Sequence, residues 1–206
     1  MVKSNTLDIE SLSERGLMIL NSAQELFFNK GFDETSLEMI INKAGGSRRS
    51  IYNEFGDKQG LLMAVIQRQV TVQTEIFTTI DRNLAAKVAL NKVCFEFVKG
   101  MLSPELMSLF RLVVQQVVKF PQLGEMIYQK GPLAGILPLT DYLKHLAEKK
   151  IIVADDFQFS AQMLIEMAKG PLHTRSLLLP DKVATDEEIE HQVAQAVEIF
   201  LNAHQC

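Results

Sequence analysis

Apolar residues recur at helical spacing through most of the chain, and no segment shows the alternating pattern of a β-strand. The clearest segment places four apolar residues at i, i+3, i+4 and i+7, namely Leu37, Ile40, Ile41 and Ala44. Thr35 and Glu38 have the spacing of a capping box, which predicts that this helix begins at Thr35. Gly45 and Gly46 follow the last apolar position and predict where the helix ends.

A second short helix is predicted directly after this glycine turn. Ser47 can cap it, and Ile51 and Phe55 lie four residues apart on its inward face. The other faces carry the polar residues Arg48, Arg49, Ser50, Tyr52 and Asn53. Arginine can bond two acceptors on guanine, while hydroxyl groups and a helix N-terminus can hold phosphate oxygens. The two helices and their turn therefore predict a helix-turn-helix that reads the major groove of DNA.

Longer helices are predicted on both sides of this pair. Residues 13–30 carry one apolar face and end at Gly31, so they can support the two short helices. Asp57 is the predicted cap of a helix that continues to about Ile80 and links the DNA-reading unit to the rest of the chain.

The predicted organisation is all-α with two domains. Residues 1–60 form a three-helix DNA-binding domain, and residues 61–206 form a helical domain for ligand binding and dimerisation. Residues 1–12 are polar and lack a period, so we expect a loose arm there.

Helices in the second domain are broken by prolines, all 6 of which lie in this half of the chain. Residues 84–102 and 157–168 each carry two apolar arcs, which predicts helices that are buried on two sides. Residues 186–203 carry a single apolar stripe. A two-sided helix beside an amphipathic one can form a four-helix contact across a two-fold axis, so the helices at 155–170 and 186–203 predict a homodimer.

An ordered motif extends from the first helix into the fourth. Its residues are Arg15, Ile19, Leu20, Ala23, Leu26, Phe27, Gly31, Phe32, Thr35, Ser36, Ala44, Gly45, Ser47, Ile51, Tyr52, Phe55, Asp57, Lys58 and Leu61. This motif resembles the TetR family of bacterial repressors. Short matches that begin at Pro104, Arg111, Phe120 and Gly131 are similar to the regulatory domain of the AefR-like branch of that family.

The resemblance implies a ligand-responsive regulator, usually a repressor, that binds a near-palindromic double-stranded DNA operator as a homodimer. The predicted DNA-contacting residues are Thr35, Ser36, Ser47, Arg48, Arg49, Ser50, Tyr52 and Lys58. Two positions depart from the family pattern. Gly46 replaces the Val or Ile that usually fills the turn, which predicts a looser motif. Gly60 replaces Glu or Ala in a first helical turn, at a cost of about 1 kcal/mol relative to alanine.

Two amide side chains interrupt apolar stripes in the second domain. Asn91 lies within the stripe of residues 84–98, and Gln116 lies within that of residues 109–120. Each amide either bonds nearby backbone or water, or lines a cavity and bonds a small apolar or amphipathic organic ligand. The other candidate wall residues are Phe97, Phe110, Met126 and Met167, which are equally compatible with ordinary core packing.

Net charge gives no general support for DNA binding, because the chain carries −4 at pH 7. Locally the picture differs. Residues 43–58 hold four basic side chains against two acidic ones, a net charge of +2. The local potential of the contacting face steers a protein onto DNA, so we expect site-specific binding with modest background affinity.

The remaining composition predicts a cytoplasmic globular protein. No apolar run approaches the ~20 residues of a membrane span, and the first residues lack a signal-peptide pattern. Cys94 and Cys206 do not form a disulfide framework, and Cys94 is expected in the core. The four histidines lack metal-binding spacing and no catalytic motif is visible, so we expect no metal, no cofactor and no enzyme activity.

Two other functions are compatible with the residues alone. One is an all-helical small-molecule carrier or enzyme in which the helix-turn-helix is only structural. The other is a regulator without a natural inducer, controlled by its abundance or by a protein partner.

Overall fold

The computed structural model describes residues 11–205, and this part of the chain is all-α, as predicted. Its only pairing of extended backbone is an isolated bridge between Ile152 and Gln205. Most of the predicted loose arm at residues 1–12, and Cys206, lie outside the described residues.

The described residues form a series of α-helices, two of which, between residues 121 and 148, were not predicted. They are α1 Glu14–Lys30, α2 Leu37–Ala44, α3 Arg48–Phe55, α4 Lys58–Glu75, α5 Ala86–Met101, α6 Pro104–Gln116, α7 Pro121–Tyr128, α8 Leu137–Glu148, α9 Phe157–Leu178 and α10 Asp186–Ala203. A 3₁₀ turn, Ile76–Thr79, continues α4, and a π-helical segment, Gln129–Gly135, connects α7 to α8. The helix predicted to reach Ile80 therefore ends as α-helix at Glu75.

Side-chain caps explain where the first four helices begin. Ser13, Ser36, Ser47 and Asp57 each accept a hydrogen bond from the backbone N–H three residues later. The predicted capping box of Thr35 and Glu38 is wrong, because Ser36 is the residue that caps α2.

Two hydrophobic clusters hold the helices together. The first cluster contains the apolar faces of α1 to α4 together with Leu109, Leu112 and Val113 of α6 and Leu123 of α7. The second cluster lies mainly among α5, α8, α9 and α10. Side chains on both sides of the predicted boundary at residue 60 thus share the first cluster, and the boundary itself stays a prediction.

Gly60 is fixed by a close backbone approach at the start of α4. A Cβ atom at this position would lie 1.9 Å from the carbonyl oxygen of Phe55. The departure from the family pattern is therefore required by the way the chain turns from α3 into α4.

α9 changes direction at Gly170 and Pro171. Gly170 has φ 46° and ψ −149°, which are not helical values. Pro171 has no N–H to donate to the Met167 carbonyl, and the side-chain amide of Gln192 on α10 donates to that carbonyl instead, at 2.8 Å. A Cβ atom on Gly170 would lie 2.4 Å from the Gln192 Nε2 atom, so a glycine at this position leaves room for the amide. The hydrogen bond from Gln192 then stabilises the bend.

The two helices predicted to be buried on both sides are covered to different extents within one chain. In α5, Leu90, Val93 and Phe97 are buried, and Val98 of the other arc is buried too, whereas Val88 is 54% exposed. In α9 the inward arc is buried as predicted, but Phe159 is 57% exposed. The prediction therefore holds for the later part of α5 and is wrong for α9, which leaves an apolar strip at the surface.

Candidate DNA-binding surface and ligand cavity

Helix α3, which is predicted to read DNA, is anchored by its apolar side and presents its polar side outward. Ile51 and Phe55 are buried in the first cluster, at 0% and 5% exposure, which fixes the rotation of the helix. Ser47 accepts a hydrogen bond from the Ser50 N–H, and the two hydroxyl groups lie 3.3 Å apart. Tyr52 is 53% exposed. The local pattern therefore gives a short helix whose N-terminus and polar side chains face solvent.

The two arginines of α3 differ in their surroundings. Arg48 forms an ion pair with Glu38 of α2. No hydrogen bond or ion pair holds the Arg49 side chain within residues 11–205. Since an ion pair between two exposed side chains contributes ~0–1 kcal/mol, Arg48 can leave Glu38 at little cost when an acceptor on DNA is offered.

The hydroxyls of Ser36 and Thr35, both predicted to contact DNA, differ in exposure to solvent. Ser36 is exposed at the N-terminus of α2, where its hydroxyl accepts from the Met39 N–H at 3.2 Å. Thr35 is only 1% exposed, and its hydroxyl donates to the Gly31 carbonyl at 2.7 Å. Thr35 thus connects α1 to α2 from inside, and its side chain is absent from the outer surface.

Lys58 is directed toward the first cluster. Its ammonium group lies 4.4 Å from the centre of the Phe32 ring and donates to the Asp33 carbonyl at 3.4 Å. Partial burial lowers the pKa of Lys58, while the charge of Asp33 opposes that shift. Contact with a phosphate would require this side chain to leave Phe32, so a phosphate role for Lys58 stays a prediction.

Arg15 of α1 covers the glycine turn, a feature that the sequence pattern did not predict. Its guanidinium donates to the Ala44 carbonyl at 3.2 Å. The position where a Cβ atom on Gly46 would stand is 3.3 Å from the Arg15 Cδ atom. The stem of Arg15 therefore occupies the space beside the turn that a Val or Ile would otherwise fill.

A cavity of about 370 Å³ lies between α4, α6 and α9 and the segments next to them. Its apolar walls include the predicted residues Phe97 and Phe110. The rings of Phe77 and Phe97 are 4.7 Å apart at their centres, and Phe110 meets His173 edge to face at 5.3 Å. This volume and mostly apolar lining fit a site for a small organic molecule.

The other four predicted wall residues lie outside the cavity. Gln116 is buried at the far end of α6, where its amide donates to Asp33. The Asn91 amide donates to the Lys87 carbonyl one turn earlier in α5. Met126 packs against the first cluster, and Met167 packs against the second. For these residues, the helical period indicated burial but could not indicate which neighbour each would meet.

The polar residues that do line the cavity were not predicted. Gln69, Gln73 and Thr74 line it from α4. Gln162, Glu166, Lys169 and His173 line it from α9. The spacing i, i+4, i+7 puts Gln162, Glu166 and Lys169 on one helical face, a signal that was visible in the sequence. His173 joins them from beyond the bend at Gly170.

Within residues 11–205, neither the buried cysteine nor the metal-binding residue types form a second site. Burial raises the pKa of the Cys94 thiol to about 12, which keeps it protonated and unreactive. Within residues 11–205, no cluster of three or more His, Cys, Asp or Glu side chains is arranged to hold a metal ion. The helices of this same part of the chain lack the length and apolar character needed to cross a membrane.

A three-helix unit with a capped, polar recognition helix defines a helix-turn-helix DNA-binding protein. The family model for bacterial regulatory proteins of the tetR family matches residues 19–65. The model for the AefR-like transcriptional repressor, C-terminal domain, matches residues 88–206. The chain belongs to the TetR family of DNA-binding transcriptional regulators, which are not enzymes.

Individual relatives agree with this assignment. The chain is 25% identical over 185 residues to the HTH-type transcriptional regulator YvkB of Bacillus subtilis, covering 85% of this chain and 92% of YvkB. A TetR-family regulator from Mesorhizobium loti superposes with a TM-score of 0.85 at 23% identity, covering 93% of this chain and 97% of the other. The Flavonoid-responsive Regulator FrrA superposes with a TM-score of 0.78 at 22% identity, with the same coverages of 93% and 97%. The two structural superpositions show that these proteins share a fold with this chain.

Proposed function

We propose that this chain is a ligand-responsive repressor that binds a near-palindromic operator as a homodimer and is released by a small organic molecule. The proposal rests on three side chains that belong both to the cavity wall and to the first hydrophobic cluster. Ile66, Leu109 and Val113 line the cavity and also belong to the cluster that holds the helix-turn-helix. A molecule that moves these side chains must also repack the support of the recognition helix.

The coupling requires two arrangements of the DNA-reading units. In a dimer, the spacing between two recognition helices has to match the spacing between two half-sites. If a ligand fits the cavity better in an arrangement with another spacing, its differential affinity shifts the population away from the DNA-competent form. α4 and α6 are suited to this role because each has one end near the cavity and contributes residues to the first cluster.

The DNA contacts follow from the exposed groups on α2 and α3. We assign base reading to Arg49 and Arg48, whose guanidinium groups can bond the guanine edge. Ser36 and Ser47 present hydroxyl groups at the two helix N-termini, where phosphate oxygens are favoured. Tyr52 presents its hydroxyl from the last turn of α3, where it is 53% exposed. Ser50 remains a candidate contact on the same face.

The dimer proposal rests on the uncovered apolar strip of α9 and on α10 beside it. Phe159 and Met163 are 57% and 38% exposed on α9, and Ile199 is 56% exposed on α10. Exposed apolar residues on two helices that pack together mark an interaction surface, and two helices from each of two copies would bury them around a two-fold axis.

Repression and release by a small organic molecule are supported by the family match and the cavity. The matched C-terminal model is described as that of a transcriptional repressor. FrrA is described as flavonoid-responsive, and it shares the fold of this chain. An apolar cavity with a few polar groups provides a place for such an inducer here.

DNA binding measured with and without a small molecule tests the proposal. Genomic fragments retained by the purified protein supply the operator, and a screen of organic compounds by thermal shift supplies the ligand. A compound that raises the melting temperature should weaken operator binding. Compounds that stabilise the protein yet leave operator affinity unchanged would contradict release by ligand.

A further inference from the structure

The cavity is built for a flat apolar body. Phe77, Phe97 and Phe110 contribute rings, and Met101 and Met107 contribute thioether side chains. Aromatic edges and faces prefer other aromatic groups in offset or edge-to-face contact, and methionine sulfur makes favourable contacts with aromatic rings. This lining selects aromatic ring systems from among apolar molecules.

Most polar groups at the wall already have partners. Gln69 donates to the Gln24 side chain at 2.9 Å, and Gln73 donates to the Phe97 carbonyl. Lys169 is paired with Glu166. Among residues 11–205, no hydrogen bond engages the side chains of Gln162 and His173, so these two can accept a new one.

His173 is the better placed of these two. Its ring lies against Phe110, and it follows the bend at Gly170 and Pro171 that Gln192 holds. Gln162 lies eleven residues earlier, on the other side of that bend. A polar group of a ligand that stacks on Phe110 therefore meets His173.

Charge at this end of the cavity favours an uncharged partner. Partial burial and the Lys169 ammonium lower the pKa of His173, so at pH 7 the ring is neutral, with one N–H donor and one acceptor. Lys169 and Glu166 neutralise each other. A charged ligand would lose its hydration without gaining a free counter-charge, whereas a hydroxyl needs only the imidazole.

We propose that the cavity takes an uncharged aromatic alcohol, with its rings among Phe77, Phe97 and Phe110 and its hydroxyl hydrogen-bonded to His173. This assignment rests on the proposed function, because it takes the cavity as the ligand site. It adds the chemical class of the ligand and the residue that recognises its polar group.

Three probes with one shared ring system test the assignment on the full chain. They are para-phenylphenol, para-methoxybiphenyl and biphenyl carboxylate. The chain contains no tryptophan, so the emission of bound probes can be followed with little protein background. The phenol should bind more tightly than the methyl ether by about 2- to 13-fold, the range for one hydrogen bond, and more tightly than the carboxylate.

Variants locate the hydrogen bond. His173→Leu should remove the preference for the phenol, while His173→Gln, which keeps a donor and an acceptor, should restore part of it. His191→Leu is the matched control, because it removes an exposed imidazole on α10 outside the cavity, and it should keep the whole preference. The comparison of probes on the parent protein remains decisive even if one variant folds poorly.

Different failures have different meanings. A preference that persists in His173→Leu, or tightest binding by the carboxylate, would overturn the aromatic-alcohol assignment and leave the cavity as a ligand site. Equal binding of all three probes would also overturn the aromatic-alcohol assignment and leave the cavity as a ligand site. If none of the three binds the folded parent protein, the aromatic-alcohol assignment is overturned, and the thermal-shift screen of organic compounds separately decides whether the cavity is a ligand site.

Discussion

The side-chain amide of Gln116 donates to the carboxylate of Asp33 at 3.2 Å, which joins the end of α6 to the loop between α1 and α2. Lys119 approaches the other carboxylate oxygen at 3.5 Å. The pKa of Asp33 is lowered, with the hydrogen bond from Gln116 as the largest cause. Gln116 is 6% exposed. This buried amide therefore connects a helix of the cavity wall with the DNA-reading unit.

Gln116→Leu should weaken the coupling between ligand and DNA. The change keeps approximate volume but removes the donor to Asp33, so movement of α6 is passed less directly to the loop before α2. We expect the ligand-induced change in operator affinity to shrink by about 2- to 30-fold, the usual range for residues that connect two sites. Fluorescence anisotropy with labelled operator, with and without bound para-phenylphenol, measures this quantity.

Gln115→Leu is the matched control, because Gln115 is the exposed neighbour on α6. It should leave the ligand response unchanged. Equal responses in the two variants would show that the Gln116 and Asp33 contact does not carry the coupling.

Loss of a recognition-helix arginine should change base preference as well as affinity. Arg49→Ala and Arg48→Ala should each cost about 1–3 kcal/mol on the best operator and relax the preference at particular base pairs. The ion pair between Arg48 and Glu38 is exposed, so Glu38→Gln should alter specific binding much less than either arginine change. Competition binding against operators with single base-pair changes gives both quantities.

Lys43→Ala controls for loss of positive charge alone, since Lys43 lies on α2 and pairs with Glu25. It should leave the base preference intact. Arginine variants that retain the parent's affinity and preference would refute the assignment of α3 as the reading helix.

A charge on the uncovered strip of α9 should break the dimer. Phe159→Glu would place a carboxylate in the proposed contact, where burial without a partner is unfavourable. Light scattering at micromolar concentration should show dimeric parent protein and monomeric variant. Val118→Glu tests an apolar residue that is 88% exposed outside α9 and α10, and it should remain dimeric. A monomeric parent, or a dimeric Phe159→Glu variant, would contradict this interface.

Acid should weaken the contact between α9 and α10. Two hydrogen bonds from Arg175, with a further one from the Thr185 backbone, lower the pKa of Glu188 from its ordinary value of 4.5 to about 2. A depressed pKa stabilises the folded state fully above pH 4.5, and this contribution is lost as the pH falls toward 2.

The difference in unfolding free energy between the parent and Glu188→Gln should therefore be greatest above pH 4.5 and shrink between pH 4.5 and 2. Urea titrations across this range measure it. Glu187→Gln removes an exposed carboxylate from the same first turn and is the control for loss of charge alone. A difference for Glu188→Gln that is independent of pH would contradict the role of the ion pair.

Local sequence rules predicted most of the fold. The last helix was expected at 186–203 and is observed over Asp186–Ala203, since its capping box and apolar stripe act within a few residues. The helix-turn-helix was predicted for the same reason. Its caps and glycine turn are local, and only the choice between Thr35 and Ser36 as the first cap was wrong.

The cavity was harder to predict because its wall comes from separate helices. The helical period correctly showed that Gln116 is buried, but its partner Asp33 is 83 positions away. Likewise, nothing near Gly46 in sequence indicated that Arg15 would lie over the turn. The polar face of α9 was present in the spacing of Gln162, Glu166 and Lys169, but a polar stripe on a helix is more often a face in contact with solvent. His173 lies beyond the bend at Gly170, so helical spacing did not place it with them.

Sequencing the genomic fragments retained by the purified protein tests the central claim most directly. We predict that the parent protein enriches fragments sharing a near-palindromic motif with two half-sites about one helical turn apart. Arg49→Ala, run in parallel, should enrich that motif much less. Retention of fragments without a shared motif, or an identical motif and enrichment with Arg49→Ala, would contradict site-specific DNA reading by α3.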